Sequence, residues 1–207
     1  VAQAEVALAR RELAVVPDLA QAIAALDGAG DRANAVHARV IGARMKTLLG
    51  DVSGAQALLS DELLQGAPPT VRAVGELVTA EAHVRALEIG RAREALDRAA
   101  TAARISGIVS LREEVQRLQD SLGQPAALQW RDGSSTPVSM VELEVLQQAD
   151  VLVVDGCRHR VDTIELATRP VLFGLVTQLA RAWPGDVSRE RLLAEVFGQR
   201  RVNDSLR

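Results

Sequence analysis

The sequence predicts a mainly α-helical protein in two parts: a helical-repeat solenoid over residues 1–123, then a smaller C-terminal module with a small antiparallel sheet and a helix-turn-helix. Three observations predict it. Alanine-rich apolar stripes at helical spacing run from Val1 to Gly123, broken at intervals by glycine or proline, with no convincing strand. Runs rich in β-branched residues around Asp155-Gly156 come later. Residues 169–207 then read as two short amphipathic helices and the first turn of a third.

In the helical part the breaks fall at Pro17, Gly28 to Gly30, Gly50-Asp51, Gly66 to Pro69, Gly90 and Gly107. Leu48-Leu49-Gly50-Asp51 followed by Ala55-Gln56-Ala57-Leu58-Leu59 returns, degenerately, as Ile89-Gly90-Arg91 followed by Ala95-Leu96, an offset of forty. It also echoes Leu13-Ala14-Val15-Val16 followed by Ala20-Gln21-Ala22-Ile23, an offset of thirty-five. A helix ending at glycine, a tight turn, and a second helix with small alanines where helices touch resembles the tetratricopeptide repeat, whose period is about 34 residues. The resemblance implies about three helix pairs in a right-handed solenoid, each pair burying its apolar face against its neighbours. The aromatic consensus positions are missing, and a plain helical bundle is the alternative. Thr70 is the expected N-cap of a helix carrying Val71, Val74, Leu77, Val78 and Glu81. Apolar Val6, Leu8 and Leu13 at one end suit a second subunit, so a homodimer, or a protein partner bound through this part, is expected.

Residues 124–150 read as a linker with a short coupling helix. Gly123-Gln124-Pro125 ends the last solenoid helix, and Asp132-Gly133-Ser134-Ser135-Thr136-Pro137 reads as a loop. Ser139-Met140-Val141-Glu142 is a capping box, with Val141, Val145 and Leu146 expected to face inward. Val151 to Val154, Asp155-Gly156 and Cys157 to Val161 then predict a hairpin with a two-residue turn.

The first C-terminal helix opens at Pro170, where a missing N–H costs nothing, and places Leu172, Leu175, Val176, Leu179 and Trp183 on one stripe expected to be buried. Pro184-Gly185 stops it. Ser188 is the N-cap of a second helix with Leu192, Leu193, Val196 and Phe197 on one face, ending at Gly198. Asn203 then caps a third helix. Strands, Ile164-Glu165-Leu166, Arg169-Pro170-Val171-Leu172-Phe173 and the run Val187 to Gly198, which fits V-S-R-E-x-L-L-x-x-V-[WF]-G, together resemble the OmpR-type winged-helix DNA-binding domain. The resemblance covers residues 151–207 and implies a DNA-binding transcriptional regulator of bacterial type, with double-stranded DNA as partner. Its third helix, which reads the major groove, and its wing would lie largely beyond Arg207. It also implies that Arg189, Arg191, Arg200 and Arg201 meet the phosphate backbone, while Asn203, Ser205 and Arg207 begin the base-reading element.

Composition narrows the alternatives. Acidic residues outnumber basic ones, 27 to 24, leaving a formal charge of −3 and no domain-wide basic stripe. That balance favours the rival reading, a non-enzymatic scaffold whose winged helix packs on protein. A single cysteine excludes an intramolecular disulfide and suits a reducing compartment, the cytoplasm. No apolar run reaches the roughly 20 residues of a membrane span. The three histidines, His37, His83 and His159, share no metal-ligand spacing, and neither a phosphate-binding loop nor a nucleophile elbow occurs, so no cofactor and no enzymatic chemistry are expected.

Overall fold

The computed structural model describes residues 1–12, 19–131, 133–149 and 151–197. Its contacts divide the chain into two units, Val1–Gly123 and a second beginning at Gln124. Among the described residues the protein is mainly helical, with two small antiparallel sheets.

The first unit holds α1 (Ala2–Arg10), α2 (Leu19–Gly28), α3 (Arg32–Leu49), α4 (Val52–Leu58), α5 (Asp61–Gln65), α6 (Pro69–Ala86), α7 (Ile89–Ser106) and α8 (Val109–Leu122). Short polar side chains start several of them: Asp31, Asp51 and Ser60 accept the backbone N–H groups of Asn34, Gly54 and Leu63. Gly50 (φ 84°) and Gly107 (φ 73°) end α3 and α7 in the left-handed conformation, which glycine adopts without strain. The break expected at Gly90 lies at Leu87 instead, also left-handed (φ 60°), and Gly90 falls inside α7. The turn there is tied by Glu88, whose N–H donates to the His83 carbonyl at 2.9 Å and whose carboxylate meets His83 Nδ1 at 2.6 Å. Thr70 likewise lies within α6, because Pro68 is the N-cap and Pro69 occupies the first helical position.

Alanine dominates the buried set of this unit, including Ala73, Ala80, Ala82, Ala92, Ala95, Ala99 and Ala103. Such small side chains let helix backbones approach closely. At Gly75 neighbouring helices come close: a Cβ there would clash with Leu64 Cδ2 and stand 3.2 Å from Val40 Cγ2. Helix α6 is the hub, packing against α3, α4, α5, α7 and α8.

In the second unit, residues expected to form a linker fold as a hairpin, β1 (Pro125–Arg131) paired antiparallel with β2 (Ser134–Ser139). Of the stretch expected to be a loop, Gly133 takes the left-handed conformation at φ 74° and Ser134 to Pro137 pair within β2, while Asp132 lies outside the described residues. Helix α9 (Met140–Gln148) follows with the expected capping box, Ser139 N–H donating to Glu142 Oε2 at 2.6 Å and Glu142 N–H to Ser139 Oγ at 3.3 Å. Its Val145 faces solvent, contrary to expectation, while Val141 and Leu146 are half-buried. The second sheet has three two-residue strands, β3 (Val154–Asp155), β4 (Arg160–Val161) and β5 (Ile164–Glu165), in that order. The predicted two-residue turn at Asp155-Gly156 is longer, because the Asp155 carboxylate accepts from the N–H groups of Cys157 (2.9 Å) and Arg158 (3.0 Å). Cys157 therefore sits exposed in a turn, not in a strand. The two-residue connection is Asp162-Thr163, between β4 and β5. Helices α10 (Pro170–Ala182) and α11 (Arg189–Leu192) and a π-helical turn, Leu193–Phe197, complete the unit as described.

The close approach at Gly75 gives a direct expectation. Leu64 and Val40, which the added side chain would meet, are themselves buried, so Gly75→Val lowers unfolding free energy by about 1–3 kcal/mol. Gly90→Ala, where the added Cβ meets nothing, is neutral or stabilising by up to about 1 kcal/mol. Urea denaturation of both variants checks the contrast.

Candidate functional site

Helix α10 begins with Pro170 at its first position, as its sequence requires, but buries little. Phe173 is its one buried residue, edge-on to His159 with ring centroids 4.8 Å apart. Of the predicted inward stripe, Leu172, Leu179 and Trp183 are exposed, Trp183 to 71%. Leu175 and Val176 are half-buried. The stripe is amphipathic by spacing, yet among the described residues of the unit nothing covers its outer side. What α10 does contact is β3 and the π-helical turn. That turn comes close because residue 174 is glycine: a Cβ there would lie 3.2 Å from Val196 Cγ1. Near its C-terminal end, Arg181 lies over the Trp130 ring, 5.3 Å from the centroid.

Ser188 caps α11 as predicted, its hydroxyl accepting the Arg191 N–H at 3.2 Å. The helix then widens into the π-helical turn, which spends an extra residue per turn. For that reason Leu192, Leu193, Val196 and Phe197 do not form one buried face. Leu193 and Phe197 are exposed, and Leu192 and Val196 half-buried.

Two of the predicted DNA-contacting residues fall within the described chain. Arg189 and Arg191 are both exposed on α11, Arg191 with its Nε 2.9 Å from Glu195 Oε1 and Arg189 with no ion-pair partner among the described residues. Arg200, Arg201, Asn203, Ser205 and Arg207, with the helix end at Gly198, lie outside the described residues. A cleft of about 390 Å³ near β3 and β4 is lined by Gln147, Asp155, Arg160 and Asp162 among others. Its carboxylates are already engaged by backbone N–H groups, Asp155 as above and Asp162 by Val153 at 2.8 Å. Arg160 Nη2 is held by the Asp162 carbonyl at 3.0 Å. Among the described residues, no group of three or more His, Cys, Asp or Glu side chains could hold a metal ion, and no helix is long and apolar enough to cross a membrane.

A set of charges that sequence reading leaves without a role lies on α6. Glu76 is fully buried, with Arg98 Nε of α7 2.9 Å from its Oε2. Arg98 Nη2 also reaches Asp61 Oδ1 of α5 at 3.1 Å. Burial holds the Glu76 carboxyl above the usual glutamate range, against the pull of Arg98. Its sole trace in the sequence is a carboxylate set among Val74, Gly75, Leu77 and Val78, in a run that a helix half-buried on several sides would otherwise keep apolar. The acidic pairs Asp61-Glu62 and Glu113-Glu114 read as plain solvated faces, yet Asp61 pairs with Arg98, and Glu114 Oε1 meets Arg44 Nη2 at 2.9 Å.

Compared with protein-family models, with curated proteins and with solved structures, the chain gives no match.

Removing the cation from the buried pair strands Glu76. Arg98→Ala costs about 3 kcal/mol or more at neutral pH, because the carboxylate is left buried without its counter-charge. Since the folded-state pKa of Glu76 is raised, its protonated form is the one the fold favours: stability linked to it is fully present below the unfolded value near 4.5 and is lost as pH rises through the folded value. The Arg98→Ala defect therefore shrinks as pH is lowered toward 5, which denaturation at several pH values reads directly.

Proposed function

We propose that this chain is a DNA-binding transcriptional regulator, in which a TPR-like helical unit mediates assembly or senses a partner and a winged-helix unit binds double-stranded DNA. The observation that carries the reading is the pair of exposed arginines on a serine-capped helix, Arg189 and Arg191, set within the run Val187 to Gly198. The element order supports it: a three-stranded antiparallel sheet, then α10, then α11. Free N–H groups and arginine forks near a helix start suit phosphate oxygens, which position a module on the duplex without reading sequence. By the resemblance, base reading would fall to a third helix from Asn203, which lies outside the described residues. In the helical unit, the succession of α3, α6 and α8, with α6 and α7 joined by the short turn Leu87-Glu88 and packed on each other, supports the repeat reading. The helix after α3 is broken into α4 and α5, a departure from the regular repeat.

A second reading has its own observation. The exposed stripe Leu172, Leu179 and Trp183 on α10, with a net charge of −3, suits a protein partner better than a polyanion. The chain would then be a non-enzymatic scaffold.

Fluorescence anisotropy with duplex DNA at graded salt separates the two. The DNA reading expects binding that weakens with salt, and Arg189→Ala with Arg191→Ala flattens the slope of log K against log salt by about 2, with affinity for all sequences reduced alike. Glu195→Gln, which frees Arg191 and removes a negative charge beside it, tightens binding at low salt. Absence of salt-dependent binding at low ionic strength overturns the reading. Assembly has a separate test. Light scattering of the full chain at micromolar concentration is expected to give a dimer, and a monomer removes the assembly role from the helical unit.

A further inference from the structure

Two buried polar atoms of α6 have no hydrogen-bond partner among the described residues: Nε of Arg72 and Oε1 of Glu76. The first can only donate, and the second, on an ionised carboxylate, can only accept. Four positions apart on one helix, the two residues lie on the same face, one turn from each other. Glu76 is fully buried, and its other oxygen, Oε2, is already met by Arg98 Nε at 2.9 Å. Arg98 turns its Nη2 to Asp61 Oδ1 of α5 at 3.1 Å, so it has Glu76 on one side and α5 on the other. Arg72 forms no ion pair with Glu76 or with another carboxylate among the described residues, although its charge is one of those acting on the Glu76 carboxyl. A donor and an acceptor of opposite charge thus stand buried on one face without touching.

We infer that α6 carries an internal water-binding site, in which one water molecule accepts the Arg72 Nε–H and donates to Glu76 Oε1. A guanidinium N–H and a carboxylate oxygen each forfeit their hydration on burial, which is why buried polar groups are paired with protein or with ordered water. Immobilising one bridging water costs less than leaving both groups unpaired. The competing arrangement is a direct contact between Arg72 and Glu76, and two considerations weigh against it. Arginine placed N-terminal to glutamate at i, i+4 is the poorer of the two orders on a helix. Burial also lifts the Glu76 carboxyl above its usual range, with Arg98 opposing, so the group has both an ionised and a neutral form to accommodate. A guanidinium serves only the ionised form. A water donates to the carboxylate and accepts from the carboxylic acid, and its second lone pair still takes the Arg72 N–H. With the water in place, hydrogen bonds run without a gap from Asp61 through Arg98, Glu76 and the water to Arg72, tying α5, α7 and α6 by one polar chain. The site is independent of any contact to nucleic acid.

A crystal structure of the full chain, at a resolution that shows ordered water, tests the site without any variant. One water oxygen is expected within about 2.7–3.2 Å of both Arg72 Nε and Glu76 Oε1. Direct contact of Arg72 with Glu76, a protein group pairing either atom, or an ion between them overturns the inference. Magnetic relaxation dispersion of the water oxygen, which counts long-lived internal waters, supplies a second readout in solution. Arg72→Met removes the donor and leaves the Glu76–Arg98 pair in place, and is expected to lose one long-lived water relative to the wild type. Glu76→Gln keeps an acceptor oxygen and is expected to retain it. An Arg72→Met protein with the wild-type number of long-lived waters overturns the site.

Discussion

Close packing around α6 is the constraint on which the helical unit depends. Every helix from α3 to α8 touches it, and the contact is made through alanine and glycine more than through large side chains. An alanine methyl removes little apolar area from water, so no single contact contributes much. The unit compensates with backbone proximity, which multiplies weak dispersion contacts over the length of each helix. Proximity leaves little tolerance. Gly75 admits Leu64 and Val40 because it has no Cβ, and Gly42 does the same on α3 for Leu58, 3.2 Å from where a Cβ would stand. The same crowding explains how ionisable groups come to be buried on α6. A helix surrounded by five others has little surface left for a carboxylate to point at solvent, and Glu76 is met by Arg98 of α7.

The second unit is built on the opposite principle. Its described buried apolar residues are Val138, Leu166 and Phe173, and its second sheet has strands of two residues. Little area is available to hold it. Local interactions take over: the Ser139–Glu142 box, the Asp155 turn, the Asp162 carboxylate on Val153 N–H and the Ser188 cap each satisfy backbone groups less than ten residues away in sequence. A scaffold of that kind opens locally at low cost. It is where the proposed contacts to DNA fall, and where an apolar face stands uncovered among the described residues.

The parts of the fold legible in the sequence are those whose cause is local. Gly50 and Gly107 end helices because glycine takes a left-handed cap without strain, and Ser139 and Ser188 start them because a hydroxyl can reach an N–H three residues on. Where the cause is a side-chain contact or a neighbouring element, and not a residue type, reading falls short. Leu87 holds a left-handed cap in a turn tied by His83 and Glu88, so a break expected at glycine moved three residues. The stripe on α10 has the right period for burial, but period cannot say whether a neighbour is present. The β1–β2 hairpin was hidden by composition, since Gly133 with serines and a proline serves a turn and edge strand as well as a loop. For the candidate site, Ser188, Arg189 and Arg191 were legible from a motif, whereas the Glu195 contact to Arg191 and the Arg98 contact to Glu76 required coordinates.

Charge sets the terms on which a DNA reading can hold. With 27 acidic residues against 24 basic ones, the protein has no long-range field drawing it to a polyanion. At physiological salt the screening length is about 8 Å, so only arginines that reach the phosphates themselves count. On the described part of the motif there are two, and one of them, Arg191, is already paired with Glu195. An exposed pair of this kind contributes under about 1 kcal/mol and is readily exchanged for phosphate. Its effect is then to lower the affinity for any DNA without lowering it for one sequence more than another. An acidic chain that binds DNA through few phosphate contacts gains most by doubling them, and pairing two chains through the helical unit is the economical way to do so. On the proposed reading, assembly and DNA contact would in that sense be one property: the weaker the single module's grip, the more binding would depend on the unit proposed to pair the chains.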